Sequence, residues 1–242
     1  MNSVGIIGFG RFGKVLLSIL QKGFSASVYD TNIENSFSSV NFQDLNEVLK
    51  QKTVFVSVPI CNFESVIKNI APKLNEGQTI IDVCSVKIYP IEVMINNLDK
   101  SVGIIGTHPM FGPDSYQSNK KLKMMLNRTR DVNNQFNFWK QYFKDQGIQT
   151  LEMSAKDHDI MASKTQGVTH FLGRMLKEYG IQKTSIDTQG FRDLLDLVDQ
   201  TCNDTWELFR DLQLYNPYTK EMIKSLKKAT EKIDERLSDL ND

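Results

Sequence analysis

The 242 residues of this chain include three histidines, and one of them, His108, stands in a Pro-, Gly- and Met-rich loop after an apolar run. That segment reads GIIGTHPMFGPDS over 103–115, and upstream IIDVCSVK over 80–87 carries a second apolar run into Ser85 and Lys87. An imidazole titrates near neutral pH, so it can take a hydroxyl proton as a hydride leaves the same carbon. A serine hydroxyl close by can orient either the histidine or the substrate hydroxyl. The pair is the minimum set for oxidising a secondary alcohol. Taken alone, a strand-end His-Pro is equally a turn feature.

Gly8-Phe9-Gly10-Arg11-Phe12-Gly13 follows a β-branched run and opens a helical stretch, the order that the dinucleotide fingerprint demands. The first glycine permits the tight turn, the second lets backbone approach a pyrophosphate, and the third lets helix and strand pack closely. The phosphate would sit at the helix N-terminus. Asp30 ends the next apolar run, where a carboxylate hydrogen-bonds the adenosine ribose and repels a 2′-phosphate. This favours NAD over NADP; the plain alternative is a turn former before Thr31-Asn32. Val58-Pro59 closes another run on the same edge, either lining the nicotinamide side or simply stopping a strand.

A second set lies on a long helical stretch. Gln166 and His170 are one turn apart and share a face. His158 precedes His170 by an axial rise of about 18 Å, so the two do not readily serve one small substrate. Flanked by Asp157 and Asp159, His158 reads as a local hydrogen-bonding residue. His170 suits a buried polar site, or else is an ordinary core histidine. Arg192, in Gly190-Phe191-Arg192-Asp193, can clamp a carboxylate through two charge-assisted hydrogen bonds, or pair on the surface with Asp193 or Asp196. No His, Cys and carboxylate set has ligand spacing, so no metal is expected.

These residues need elements to hold them. Strands are predicted near 3–8, 26–29, 53–58, 79–84, 102–106, 122–127 and 149–153, with helices over 12–22, 44–50, 63–74, 88–98 and 133–146. Alternation of this kind implies a parallel, doubly wound α/β sheet with right-handed crossovers. Several runs are apolar throughout, as strands covered on both faces are. Beyond 153 the signal is helical only. Ser154 with Asp157 resembles a capping box that opens a helix to about Tyr179, closed by Gly180. Helix follows over 190–213 and again over 218–240, where Met222, Ile223, Leu226, Ala229, Ile233, Leu237 and Leu240 form one apolar stripe. The expected division is 1–153, a Rossmann-type domain, and 154–242, an all-helical domain.

Composition narrows the class. Lys plus Arg number 29 and Asp plus Glu also 29, so no net field draws nucleic acid or an anionic membrane. Three scattered cysteines support neither a disulfide framework nor a zinc site. No signal peptide and no apolar run of membrane-spanning length is evident. A protein of a reducing cytoplasm is expected.

Taken together, the motifs resemble the prephenate/arogenate dehydrogenases of tyrosine biosynthesis. The resemblance rests on Gly8 to Gly13, Val56-Ser57-Val58-Pro59, Asp82-Val83-Cys84-Ser85-Val86-Lys87, His108-Pro109-Met110-Phe111-Gly112-Pro113-Asp114-Ser115, and His158-Asp159 through Gln166 to His170-Phe171. The HPMFGPDS spelling and the Phe-Arg start near 191 most resemble the dehydrogenase half of the bifunctional chorismate mutase–prephenate dehydrogenases. The resemblance implies NAD-dependent oxidative decarboxylation of prephenate to 4-hydroxyphenylpyruvate, with His108 accepting the hydroxyl proton. It implies that Ser85 bonds the hydroxyl or His108 and that Lys87 supports the site. His170 and Gln166 would line the substrate pocket, Arg192 would hold a substrate carboxylate, and the C-terminal helices would form a homodimer. Alternatives are arogenate as substrate, a β-hydroxyacid dehydrogenase with Lys156 or Lys164 as base, and a non-catalytic dinucleotide-binding module.

Overall fold

The computed structural model describes residues 3–32, 40–117 and 121–239, without the side chains at 114 and 117. Leu240 of the C-terminal stripe and the Asp114 side chain of the HPMFGPDS motif lie outside the described residues. The chain divides into two compact units, Met1–His158 and Asp159–Asp242.

The first unit alternates strand and helix: β1 (Ser3–Ile7), α1 (Arg11–Leu20), β2 (Ser25–Tyr29), α2 (Leu45–Val48), β3 (Thr53–Val56) and α3 (Ile60–Ile70). It continues with β4 (Thr79–Asp82), α4 (Ile88–Asn97), β5 (Gly103–Pro109), α5 (Pro113–Gln117), β6 (Lys123–Arg130), α6 (Gln135–Asp145) and β7 (Gln149–Glu152). Among the described residues seven strands form one sheet, in the order β2-β1-β3-β4-β5-β6-β7. Every residue of β3, β4 and β5 is buried, which is why their sequences are apolar runs without alternation. Phe55, Trp139, Phe143 and Ile105 belong to the core that joins the sheet to its helices. Burying side chains of this size is worth roughly 1.5–3 kcal/mol each.

Two features depart from the expected all-parallel sheet. β5 and β6 are antiparallel, whereas the other neighbouring strands run parallel. Among the described residues only the five-residue α5 lies between β5 and β6, too little for a full crossover helix. β5 also runs on through Pro109, so His108 sits inside the strand, opposite Met125 of β6, and not beyond the strand end.

α7 (Ala155–Ala162) carries the boundary between the units. Ser154 caps it: its hydroxyl accepts from Asp157 N at 3.0 Å and donates to the Asp157 carboxylate at 2.6 Å. The predicted long helix is broken by a π-helical turn over Ser163–Gly167, and α8 (Val168–Tyr179) then ends at Gly180 with φ +86°. Left-handed backbone of that kind favours glycine. The remaining helices are α9 (Gln189–Cys202), α10 (Trp206–Tyr215) and α11 (Thr219–Ser238). The stretch read as one helix over 190–213 is therefore two. Thr205 starts the second by accepting from Leu208 N. α8 and α9 meet at Gly173, where an added Cβ would lie 1.9 Å from Thr201 Oγ1. On α11, Met222 is buried, whereas Ile233 and Leu237 are exposed.

Candidate active site

In the order β2-β1-β3 the chain leaves β1 to one side and returns to the other, which makes a topological switch point between β1 and β3. Ligands of doubly wound sheets bind in the crevice beyond the carboxyl ends of the strands at such a point. Gly8 leaves β1 there with φ +98°, its N–H donating to Tyr29 O at 2.8 Å. A Cβ on Gly8 would lie 2.1 Å from Ser57 O at the end of β3. One on Gly13 would lie 2.3 Å from Gly8 O, so glycine at both positions is dictated by the fold itself.

Gly10 differs. No atom lies within 4 Å of its added Cβ, and it forms the N-cap of α1 without a side-chain cap or an acidic residue in the first turn. Open space before an uncapped helix start fits a pyrophosphate. Asp30 Oδ2 accepts from Phe9 N at 2.5 Å and Oδ1 from Asn32 N at 2.7 Å, which fixes the carboxylate beside the glycine loop. Arg11 is exposed at the first position of α1. Phe9 is buried edge-on against Phe42, and Phe12 packs on Phe111. Both rings pack in or against the core of the first unit. Val58 is half-buried, and Pro59 is exposed as the N-cap of α3.

Ser85 lies in the bend after β4 and is half-buried. β4 and β5 pair with Asp82 opposite Gly106, so Ser85 and His108 stand at the same end of adjacent strands. His108 is 3% exposed, and its Nδ1 lies 2.7 Å from Nε2 of His158, itself 4% exposed. Burial, then the His158 and Lys87 charges, hold the His108 imidazole well below its ordinary pKa. It is a neutral base at neutral pH.

Lys87 is corrected as a substrate ligand. Its side chain has no exposed surface, and its ammonium donates to the Asp82 carboxylate and to Thr107 O. It ties β4 to Thr107, the residue before His108, and presents no surface to a substrate.

In the second unit Gln166 belongs to the π-helical turn and His170 to the first turn of α8. Gln166 Oε1 and His170 Nδ1 are both buried without a hydrogen-bond partner. A buried polar atom left unpaired costs about 1–3 kcal/mol, and such atoms are common where a ligand completes the bonding. Burial lowers the His170 pKa, with Asp204 raising it and Arg174 lowering it. Arg192 is exposed. Its guanidinium donates to Asp187 O at 2.6 Å and to Gln189 Oε1 at 3.2 Å, both in or beside the start of its own helix. The expected carboxylate clamp is thus turned onto the α9 N-terminus. Among the described residues no group of His, Cys, Asp and Glu could hold a metal ion.

With this geometry in view, the comparisons identify the family. The model for the prephenate dehydrogenase nucleotide-binding domain matches residues 20–149. The chain belongs to the prephenate/arogenate dehydrogenase family. A second model, the TYRAAT1-like C-terminal domain, matches residues 175–242. Arogenate dehydrogenase 2 of Arabidopsis thaliana is 31% identical, over 97% of this chain and 69% of its own length. The probable arogenate/prephenate dehydrogenase of Methanocaldococcus jannaschii is 28% identical, over 96% of this chain. This chain spans only 55% of that relative and 39% of Arabidopsis arogenate dehydrogenase 1. In fold it is similar to prephenate dehydrogenase from Aquifex aeolicus, solved with hydroxyphenyl propionate and NAD+. The TM-score is 0.76 at 20% identity, covering 98% of this chain and 91% of that one.

For a dehydrogenase of this family, two groups escaped the sequence reading. His158, expected from its acidic neighbours to bond locally, bonds His108 across fifty positions of chain. Arg174, whose guanidinium stacks 5.6 Å from the rings of both Trp206 and Phe209, is the arginine that acts on His170. Its spacing of one helical turn from His170 was the available signal.

Proposed function

We propose that the chain catalyses the NAD-dependent oxidative decarboxylation of a cyclohexadienol, converting prephenate to 4-hydroxyphenylpyruvate. NAD, when bound, supplies the hydride acceptor. Gly8, Gly10, Gly13 and the start of α1 would hold its pyrophosphate, and Asp30 its adenosine ribose, disfavouring a 2′-phosphate. His108 Nε2 accepts the proton of the ring hydroxyl as hydride departs from the same carbon. The electrons of the breaking carbon–carboxylate bond then enter the ring, which becomes aromatic as carbon dioxide leaves. Ser85 orients the hydroxyl or His108. Gln166 and His170, both in the second unit, are the proposed substrate-binding residues there, on the strength of their unpaired buried atoms.

The observation that carries this reading is His108: a buried, neutral imidazole at the carboxyl end of β5, in a chain of this family. A general base contributes about 10²–10⁴ in rate, so His108→Asn should retain nucleotide binding and lose turnover by that factor. Formation of NADH, followed by absorbance with prephenate as substrate, tests this. Unchanged turnover would remove His108 from the role.

A second reading, arogenate as substrate with tyrosine as product, is favoured by the likeness to the Arabidopsis arogenate dehydrogenase over 97% of this chain. The same assay with arogenate beside prephenate decides between them. The exposed Ile233 and Leu237 on α11 support association through the C-terminal helices into a homodimer, which sedimentation would detect. The thiols of Cys61, Cys84 and Cys202 fit a reducing compartment such as the cytoplasm. No helix among the described residues is long and apolar enough to cross a membrane.

A further inference from the structure

We propose that His158 is a positioning residue for the reaction: it holds His108 by Nδ1, presents the His108 Nε2 lone pair to the substrate hydroxyl, and receives the proton displaced from Nδ1. This inference rests on His108 as the proton acceptor and adds the residue through which that acceptor works.

The argument begins with proton counting. The two facing nitrogens are 2.7 Å apart, a distance that requires one proton between them. If His108 is to accept at Nε2, its own proton must sit on Nδ1 and point at His158. His158 Nε2 is then the acceptor, and its ring proton must be on Nδ1. The opposite arrangement would place a proton on His108 Nε2 and leave nothing there to accept the substrate's. A catalytic histidine needs a partner that fixes its tautomer, the part a carboxylate plays in serine hydrolases. Here the partner is a second imidazole.

The geometry is fixed at both ends. The rings meet edge to face, with centroids 4.9 Å apart and planes at 77°. His108 is pinned in β5 by its pairing with Met125 of β6. His158 N donates to Ser154 O at 3.0 Å in the first turn of α7, whose start Ser154 and Asp157 lock together. Both rings are almost fully buried, so water does not compete for the shared proton. The groups that act on His108 are this imidazole, from α7, and the Lys87 ammonium, from the start of α4, with Asp82 behind it.

The consequence is a two-step displacement that balances without a further reactant. The substrate O–H bond breaks and its proton joins His108 Nε2. The His108 Nδ1 proton shifts to His158 Nε2, so the positive charge passes to His158 and His108 is left neutral, with its proton on Nε2. A carboxylate partner would raise the basicity of His108; an imidazole supplies a proton acceptor and no fixed negative charge.

Two variants separate positioning from mere packing. His158→Phe fills the space and removes the acceptor; His158→Gln keeps an acceptor oxygen close to the Nε2 position but cannot carry the proton onward. His158→Phe should lower kcat by about 10²-fold, the scale at which a base loses its orientation, with KM for NAD changed by less than about twofold. His158→Gln should recover part of that loss. Its acid limb in kcat/KM should move to higher pH, because protonation of a second imidazole no longer opposes that of His108. Turnover of His158→Phe within about twofold of the parent would overturn the proposal. If that variant does not fold, an unmoved acid limb in His158→Gln would do so. His108→Asn serves as the control: retained turnover there sinks the His108 reading itself, whereas its loss beside a fully active His158→Phe sinks the relay alone.

Discussion

Asp82 and Lys87 form an ion pair with no exposed surface, and it links the last residue of β4 to the N-cap of α4. Asp82 also accepts from Cys84 N at 2.9 Å and Thr107 N at 3.3 Å, and Thr107 Oγ1 donates to Asp82 O at 2.6 Å. The pair thus fastens β4 to the residue before His108. Burial raises the Asp82 carboxyl above its ordinary value, and Lys87 and the two N–H groups oppose that only in part. Removing one member strands a buried charge, which costs about 3–5 kcal/mol. Lys87→Met should therefore lower unfolding free energy by that amount in urea titration. Asp82→Leu with Lys87→Met should recover most of it, since an apolar pair of similar volume is often neutral. A single variant as stable as the parent would show that the ammonium is not held there.

Histidine burial sets the pH behaviour. The folded pKa of His108 lies well below the free value of 6.5, and that of His170 is also lowered. As pH falls through 6.5 the unfolded chain takes up protons that the folded chain refuses, so stability declines from there downward. The decline ends once the folded pKa values are passed. Melting temperature should thus be level above about pH 7 and fall on acidification through the window just below 6.5. His108→Asn should flatten part of that slope. In kinetics, kcat/KM should hold level through pH 6.5 and drop only in more acidic buffer. A loss of activity centred at or above pH 6.5 would contradict the depressed value.

The sheet was legible where burial leaves one reading. β3, β4 and β5 are covered on both faces, and their apolar runs say so directly. The direction of β6 was not, because Met124-Met125-Leu126 reads alike in parallel and antiparallel pairing. His108-Pro109 reads equally as a turn feature after the strand, yet at the last residue of β5 a missing N–H is tolerated, and the strand carries His108 inside it. The glycine positions were readable because steric necessity is local. The His108–His158 bond was not, since helix spacing reports neighbours on one element and nothing about a strand distant in sequence. The break at Thr205 was written in the chain as a Thr N-cap, masked by the apolar pattern on both sides.

Arg192 and Asp30 test the two ends of the specificity argument. Arg192 is exposed and committed to Asp187 O and Gln189, so Arg192→Ala should change KM for prephenate by less than about twofold, within the range of a weak surface contact. A rise of tenfold or more would return it to the carboxylate site. Asp30→Ser removes the carboxylate that holds Phe9 N and that we propose holds the adenosine ribose, and should raise the ratio of NADP to NAD turnover. An unaltered preference would place cofactor discrimination elsewhere.

The glycine loop allows stability to be separated from cofactor binding. Gly13→Ala drives a Cβ to 2.3 Å from Gly8 O, a backbone atom that cannot swing aside, so the loop or α1 must shift. Overpacking of this kind costs about 1–3 kcal/mol, and the variant should melt earlier and bind nucleotide poorly. Gly10→Ala meets no atom within 4 Å and needs no left-handed backbone, since φ at Gly10 is −68°. Its unfolding free energy should fall by no more than about 1 kcal/mol, the difference between glycine and alanine at an N-cap. NADH titration followed by fluorescence should nevertheless show weakened binding, because the added methyl occupies the space a pyrophosphate needs in order to reach the α1 N-terminus. Equal affinity in Gly10→Ala and the parent would mean that the phosphates do not approach this turn, and the assignment of the β1–β3 crevice would fall with it.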